Sequence, residues 1–242
     1  MAADPPTLVF AHYFGGSARS WTPLLHALGG SGEQIVPDLP GFGGTAPPMT
    51  LTLDTYADYL ADRAGVRPWI AVGHSMGGKI ALACAARRPS NLVGLVLIAA
   101  SPPTPQPMSD DDRRASIEAF GNRQSARRQL TSIAGRLPPA LLEICVEDEL
   151  RVAWPAWRWW LEQGSRADIS GRTHGLQLPV LIITGDDDRV LGSDTAAQIQ
   201  RGLPNATLRT IADAGHMVPL EHPERVARLI RDFAAKIGGT AA

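Results

Sequence analysis

Six short stretches of this 242-residue chain read as strands, at 8–11, 34–36, 69–72, 92–98, 180–183 and 207–211. Most are nearly continuous apolar runs, such as Leu8-Val9-Phe10-Ala11 and Val180-Leu181-Ile182-Ile183. A strand with one wet face alternates apolar and polar residues, whereas one covered on both faces does not, and such strands belong to parallel sheets flanked by helices. Helix-period patterns fall between the runs, at 21–28, 53–64, 76–88, 194–202 and 223–237. Alternating strands and helices predict an α/β architecture.

The alternation lapses between Pro102 and Gln177, where no convincing strand occurs and four helix-like pieces follow one another. Ser109 suits the N-cap of a first helix opened by Asp110-Asp111-Asp112, whose charges favour its positive end, with Gly121 as its stop. Leu130, Ile133, Ala134 and Leu137 fall at i, i+3, i+4 and i+7 and end at Pro138-Pro139. Leu141, Leu142, Cys145 and Val146 mark a third helix, and a fourth opens at Pro155 and stops near Gly164. The chain therefore divides into a core over 1–101, a helical insertion over 102–177 and a second core segment over 178–242. One folding unit with an insertion suits this length.

Composition narrows the classes further. A formal net charge of −1 points to neither nucleic acid nor an acidic membrane surface as partner. The longest apolar runs fall short of a bilayer-spanning helix. Cys84 and Cys145 have neither zinc-ligand spacing nor a C-x-x-C pattern, and Met1-Ala2-Ala3-Asp4-Pro5-Pro6 shows neither a basic n-region nor an apolar h-region. The expected setting is soluble, reducing and cytoplasmic, with no metal.

The candidate chemistry starts at Gly73-His74-Ser75-Met76-Gly77, which follows one apolar run and precedes a helical stretch. A serine on a sharp strand-to-helix turn is the geometry of a nucleophile elbow, and such a hydroxyl needs a base to take its proton. His216 lies in a Gly-containing loop just past the last strand, and Asp186-Asp187-Asp188 follows the fifth. The order Ser, Asp, His, each at a strand's carboxyl end, is where ligands bind in open α/β sheets. The acid is expected from this triplet, with Asp213, three residues before His216, in reserve.

These residues resemble the α/β-hydrolase superfamily over nearly the whole chain outside the insertion. His12-Tyr13-Phe14-Gly15-Gly16-Ser17 is similar to its His-Gly-x-x-Gly-Ser loop, Asp38-Leu39-Pro40-Gly41-Phe42-Gly43 to its Asp-x-Pro-Gly-x-Gly segment, and Gly73-His74-Ser75-Met76-Gly77-Gly78 to its elbow. The resemblance implies the α/β-hydrolase fold, a mostly parallel central sheet with helices on both faces and an inserted cap. It selects Asp188, three residues after Gly185, and gives Ser75, Asp188 and His216 as catalytic residues. It assigns an oxyanion hole to the backbone N–H groups of Phe14 and Met76 and makes His12 and Asp38 loop-positioning residues. Where the family usually has glycine after the loop histidine, this chain has Tyr13, whose phenol is expected to reach the substrate side.

Trp157, Trp160 and Leu161 share one face of the fourth insertion helix, and the two indoles are candidates to line an acyl or aromatic pocket, against the alternative of simple packing. The implied activity is a serine hydrolase acting, without cofactor, on a small carboxylic ester or lactone. A neutral histidine is needed to start, so hydrolysis is expected to rise with pH through roughly 6 to 7. The same three residues also serve acyl transfer, peracid formation, thioester cleavage or carbon–carbon hydrolysis, and a receptor-like member would keep them with negligible turnover.

Overall fold

The computed structural model describes residues 5–30 and 32–239. Residues 1–4, part of the N-terminal stretch examined for a leader, lie outside the described residues. Strands β1 (Thr7–Ala11), β2 (Gln34–Ile35), β3 (Trp69–His74), β4 (Leu92–Ile98), β5 (Val180–Gly185) and β6 (Ala206–Ile211) form one sheet in the order β2-β1-β3-β4-β5-β6. Every pairing in it is parallel. The apolar runs behave as their composition requires, with alternate residues feeding opposite cores. Val9, Ala71, Leu95, Leu97 and Ile182 face one, while Leu8, Phe10, Ile70, Val72, Val96 and Ile183 face the other.

Helices cover both faces. Those before β4 are α1 (Thr22–Leu28), α2 (Leu53–Ala64) and α3 (Met76–Ala86). Five more, α4 (Asp110–Glu118), α5 (Arg123–Ile133), α6 (Pro139–Leu150), α7 (Trp154–Glu162) and the single turn α8 (Ser170–Thr173), lie between β4 and β5. Then come α9 (Gly192–Gly202), α10 (Val218–Glu221) and α11 (Pro223–Gly239). Residues of α1 and α11 pack on one core, and residues of α2, α3, α7 and α9 on the other.

The caps follow local chemistry. Ser109 accepts from the Asp112 amide at the start of α4, and Asn122 accepts from the Ser125 amide at the start of α5. The pattern 130–137 does not continue as a helix, because α5 stops at Ile133 and Ala134 turns extended at ψ 141°. Distant partners take over there: the His216 amide donates to the Ile133 carbonyl and the Gly135 amide donates to Glu221, so tertiary bonds outweigh the apolar period. Trp154 is inside α7 rather than before it, with Pro155 in the first turn.

Candidate active site

Ser75 occupies the turn between β3 and α3 with φ 52° and ψ −114°, backbone space that L residues rarely enter. The neighbouring glycines explain how the chain gets there. A Cβ on Gly77 would overlap the Ala11 carbonyl of β1, and one on Gly73 would overlap the Gly77 carbonyl, so the elbow exists only where these backbones touch directly. The Ser75 amide donates to the Ile98 carbonyl, and the Ser75 carbonyl accepts from Gly78 and Ser101, fixing the serine against the end of β4.

Three side chains from separate loops meet here, Ser75 lying 141 positions and Asp188 28 positions before His216. Ser75 Oγ stands 3.0 Å from His216 Nε2, and His216 Nδ1 stands 3.0 and 3.1 Å from the two Asp188 oxygens. Serine and histidine are both buried, at 7% and 3% exposure, so bulk water does not compete for these bonds. Burial by itself would raise the Asp188 pKa, but hydrogen bonds from His216 and from the Val190 and Leu191 amides outweigh it and hold the carboxyl below the usual carboxylate range. An ionised Asp188 accepts Nδ1–H and leaves Nε2 as the acceptor facing the Ser75 hydroxyl. Asp187 instead pairs with Arg189, and Asp213 is exposed, its carbonyl taking the His222 ring N–H.

Two further histidines organise this centre without joining it. His74 donates from Nε2 to the His216 carbonyl at 2.9 Å, and burial lowers its pKa to about 3. His12 donates from Nδ1 to the Tyr13 carbonyl and accepts the Leu39 amide at Nε2, joining the loop after β1 to the loop at 38–43; burial lowers its pKa to about 4. Both rings are neutral over the physiological range. Asp38 accepts from the Ala18 amide at 2.7 Å, also between those loops.

The N–H of Met76, first residue of α3, has no acceptor within its own helix. The Phe14 amide makes no backbone hydrogen bond among the described residues. The Phe14 ring lies 4.4 Å from that of Trp157 and 6.2 Å from that of Trp160, centroid to centroid. Both indoles are buried, and the Trp157 N–H donates to the Ser116 carbonyl of α4. Tyr13, expected on the substrate side, is 3% exposed and packs with Leu130, Cys145, Val146, Met217 and Leu220, its buried hydroxyl beside the Cys145 thiol. The ring also explains Gly16, where a Cβ would stand 2.7 Å from a Tyr13 ring carbon.

Several polar residues that sequence reasoning passed over hold these loops in place. Glu221 accepts three amides, from Gly135, Gly215 and Met217, and so clamps both sides of the histidine loop. Asp148 of α6, wholly buried, accepts from Ser17 Oγ at 2.7 Å and from the Arg19 guanidinium. Lys79 of α3 is buried and donates to the Thr104 and Ser165 carbonyls, tying the elbow helix to both ends of the segment between β4 and β5; burial lowers its pKa to about 8. Only an acid or base with partners from remote segments marks such roles, and a single sequence does not display those partners. Among the described residues no group of three or more His, Cys, Asp or Glu gathers within reach of a metal ion, and no helix is long and apolar enough to cross a membrane.

A model of the alpha/beta hydrolase family matches residues 8–229. The chain is 31% identical to pimeloyl-[acyl-carrier protein] methyl ester esterase of Aromatoleum aromaticum, the alignment covering 94% of this chain and 97% of that protein. It is 28% identical to 2-hydroxymuconate semialdehyde hydrolase of Pseudomonas putida over 72% of this chain and 65% of the relative. Among solved structures, a thermophilic esterase from Thermogutta terrifontis shares the fold at a TM-score of 0.79 and 25% identity, covering 98% of this chain and 92% of the other.

Proposed function

The chain belongs to the alpha/beta hydrolase family, and from that premise we propose that it hydrolyses small carboxylic esters or lactones through an acyl-enzyme on Ser75. The observation that carries this reading is the 3.0 Å contact of His216 Nε2 with Ser75 Oγ, behind which Nδ1 meets a buried Asp188. The esterase names borne by the relative and by the structural neighbour support the ester bond as the target.

Ser75 Oγ attacks the carbonyl carbon as its proton passes to His216 Nε2, and the carbonyl oxygen becomes an oxyanion held by the N–H groups of Phe14 and Met76. Each preorganised donor is worth about 3 kcal/mol in the transition state. Asp188 steadies the imidazolium that forms without taking its proton. Collapse of the intermediate breaks the ester C–O bond, and His216 gives its proton to the departing alkoxide. His216 then takes a proton from water, whose oxygen attacks the acyl-Ser75 ester and releases the acid and the free serine. The helices between β4 and β5 act as a cap over 102–177, with Trp157 and Trp160 beside Phe14 as its acyl-facing aromatics. Unbonded Cys84 and Cys145 suit the reducing, cytoplasmic setting read from the sequence.

A fluorophosphonate probe followed by peptide mass spectrometry tests the mechanism. Labelling of Ser75, abolished in S75A, together with repeated turnover of short p-nitrophenyl esters is the expected result. Labelling of another residue, or a single stoichiometric event without turnover, overturns it.

A further inference from the structure

One ionisable side chain beside these groups has no task in the proposed reaction. Glu149, in the last turn of α6, lies against the loop after β1: a Cβ built on Gly15 would stand 3.4 Å from both its Cγ and its Oε2. Gly15, held at φ 90°, directly follows Phe14, whose amide is the proposed oxyanion donor and whose ring meets Trp157. A side chain at Gly15 would be strained by its positive φ, and its Cβ would stand in ordinary van der Waals contact with Glu149, which places the acid directly against this loop.

The surrounding acids are all engaged. Glu143 pairs with Arg123 and Arg127 of α5, Glu147 with Arg19, and Asp148 with Arg19 and Ser17. Glu149, half-buried, has no hydrogen bond or ion pair among the described residues. Its titratable neighbours are Tyr13 from the loop after β1 and Cys145 from its own helix, both uncharged at neutral pH. The next cation along the chain, Arg151, is placed against Gly44 instead, where a Cβ would meet its guanidinium at 2.8 Å. From α5, Ala126 and Leu130 pack in one apolar cluster with Tyr13 and Cys145. Among the described residues, then, no cation pairs with Glu149. Burial without a partner pushes its pKa up to about 7, so it is neutral below that value and negatively charged above it.

We propose that Glu149 is a specificity-determining residue: its unpaired carboxyl beside the oxyanion loop disfavours esters whose acyl chain carries a carboxylate and admits neutral or cationic acyl chains. The device is repulsive, a like charge placed where the wrong substrate would bring its own. The inference rests on the ester-hydrolase reading and adds the substrate's charge class to it. Its pH dependence is distinctive, because a carboxylate substrate is ionised throughout pH 6 to 8.5 while Glu149 acquires its charge within that span. Effects on the shared chemistry, including any of Glu149 on the oxyanion itself, cancel in a ratio of two substrates.

The test measures kcat/KM for the methyl ester of a straight-chain monocarboxylic acid and for the monomethyl ester of the dicarboxylic acid of equal length, at pH 6 and pH 8.5. The neutral-to-anionic ratio should rise by about fivefold between the two pH values, as two unit charges roughly 8 Å apart at an effective dielectric constant of about 40 require. In E149Q the ratio should not change with pH. A wild-type ratio independent of pH, with brisk turnover of the neutral ester, overturns this inference alone, and it needs no variant to fold. A rise that persists in E149Q also overturns it. No turnover of either ester overturns the ester-hydrolase reading and the inference with it.

Discussion

At Ser75 the backbone sits at φ 52° and ψ −114°, and holding a residue with a Cβ there costs about 1–3 kcal/mol. Strain and nucleophile occupy the same residue, so substitutions separate them. S75G removes both, and the relief, less the greater freedom glycine adds to the unfolded chain, should raise stability by about 1 kcal/mol while ester turnover is lost. S75A keeps the Cβ and should lose turnover without that gain. Thermal unfolding of the two variants side by side checks this, and equal midpoints would show that the elbow stores no strain. Asp188 carries a second prediction. Its folded pKa lies below the ordinary carboxylate value, so its charged form contributes stability that is fully present above about pH 4 and lost as pH falls through the folded value. The stability of wild type relative to D188N should therefore shrink as pH drops from 5 to 3 in urea unfolding experiments. At neutral pH the same variant should lose about four orders of magnitude in kcat, because the amide no longer holds the imidazole in its productive tautomer.

Among the elements, α7 has the most to reveal about substrate choice. Trp157 is bonded through its indole to α4 and lies against Phe14, while Trp160 contacts both Phe14 and Trp159. Truncating such a buried indole costs about 3–5 kcal/mol of stability wherever it sits. Stability therefore does not separate a pocket wall from packing, but a substrate series does. W157A and W160A should change the ranking of acyl-chain lengths while acetate esters, too short to reach the helix, change least. A uniform loss on every ester would mean that the indoles only pack. The face shared by Trp157, Trp160 and Leu161 was legible because a helical period survives whenever neighbouring turns decide the structure. At the end of α5 the same rule fails. Leu130 and Ile133 obey the period, but Ala134 leaves the helix because Glu221 and His216, more than eighty residues away, take the amide and the carbonyl there.

Across the molecule the division is the same. The positions of the strands and the burial of most of them followed from apolar runs, since two covered faces demand them, whereas their order in the sheet is set by crossovers that no single run encodes. Ser75, His216 and the acidic triplet stood out at strand ends, and Asp188 was selected within the triplet by the family resemblance. Of the polar residues that hold those loops, His12 and Asp38 were named through the family resemblance, whereas the bond of Ser17 to Asp148 was not legible, since the two are 131 positions apart and Asp148 carries no local signature. Asp148 links the β1 loop, which bears the Phe14 amide, to a helix of the segment between β4 and β5, and so joins the two halves of the proposed site. Removing its carboxylate in D148A takes the acceptor from the Ser17 hydroxyl, which still accepts the Arg19 amide, and leaves part of the Arg19 guanidinium unpaired. Because the Arg19 side chain is 42% exposed and keeps Glu147 as a partner, the stability loss should be moderate, about 2 kcal/mol. The larger effect should fall on acylation, where a loop displaced by a fraction of an ångström misaims one oxyanion donor and slows the burst phase by roughly ten- to a hundredfold. KM and the order of preferred acyl lengths should move little, since the aromatic residues of α7 are untouched. A D148A protein that is less stable but acylates at the wild-type rate would show that the link fastens the two parts of the molecule together without aiming the Phe14 amide.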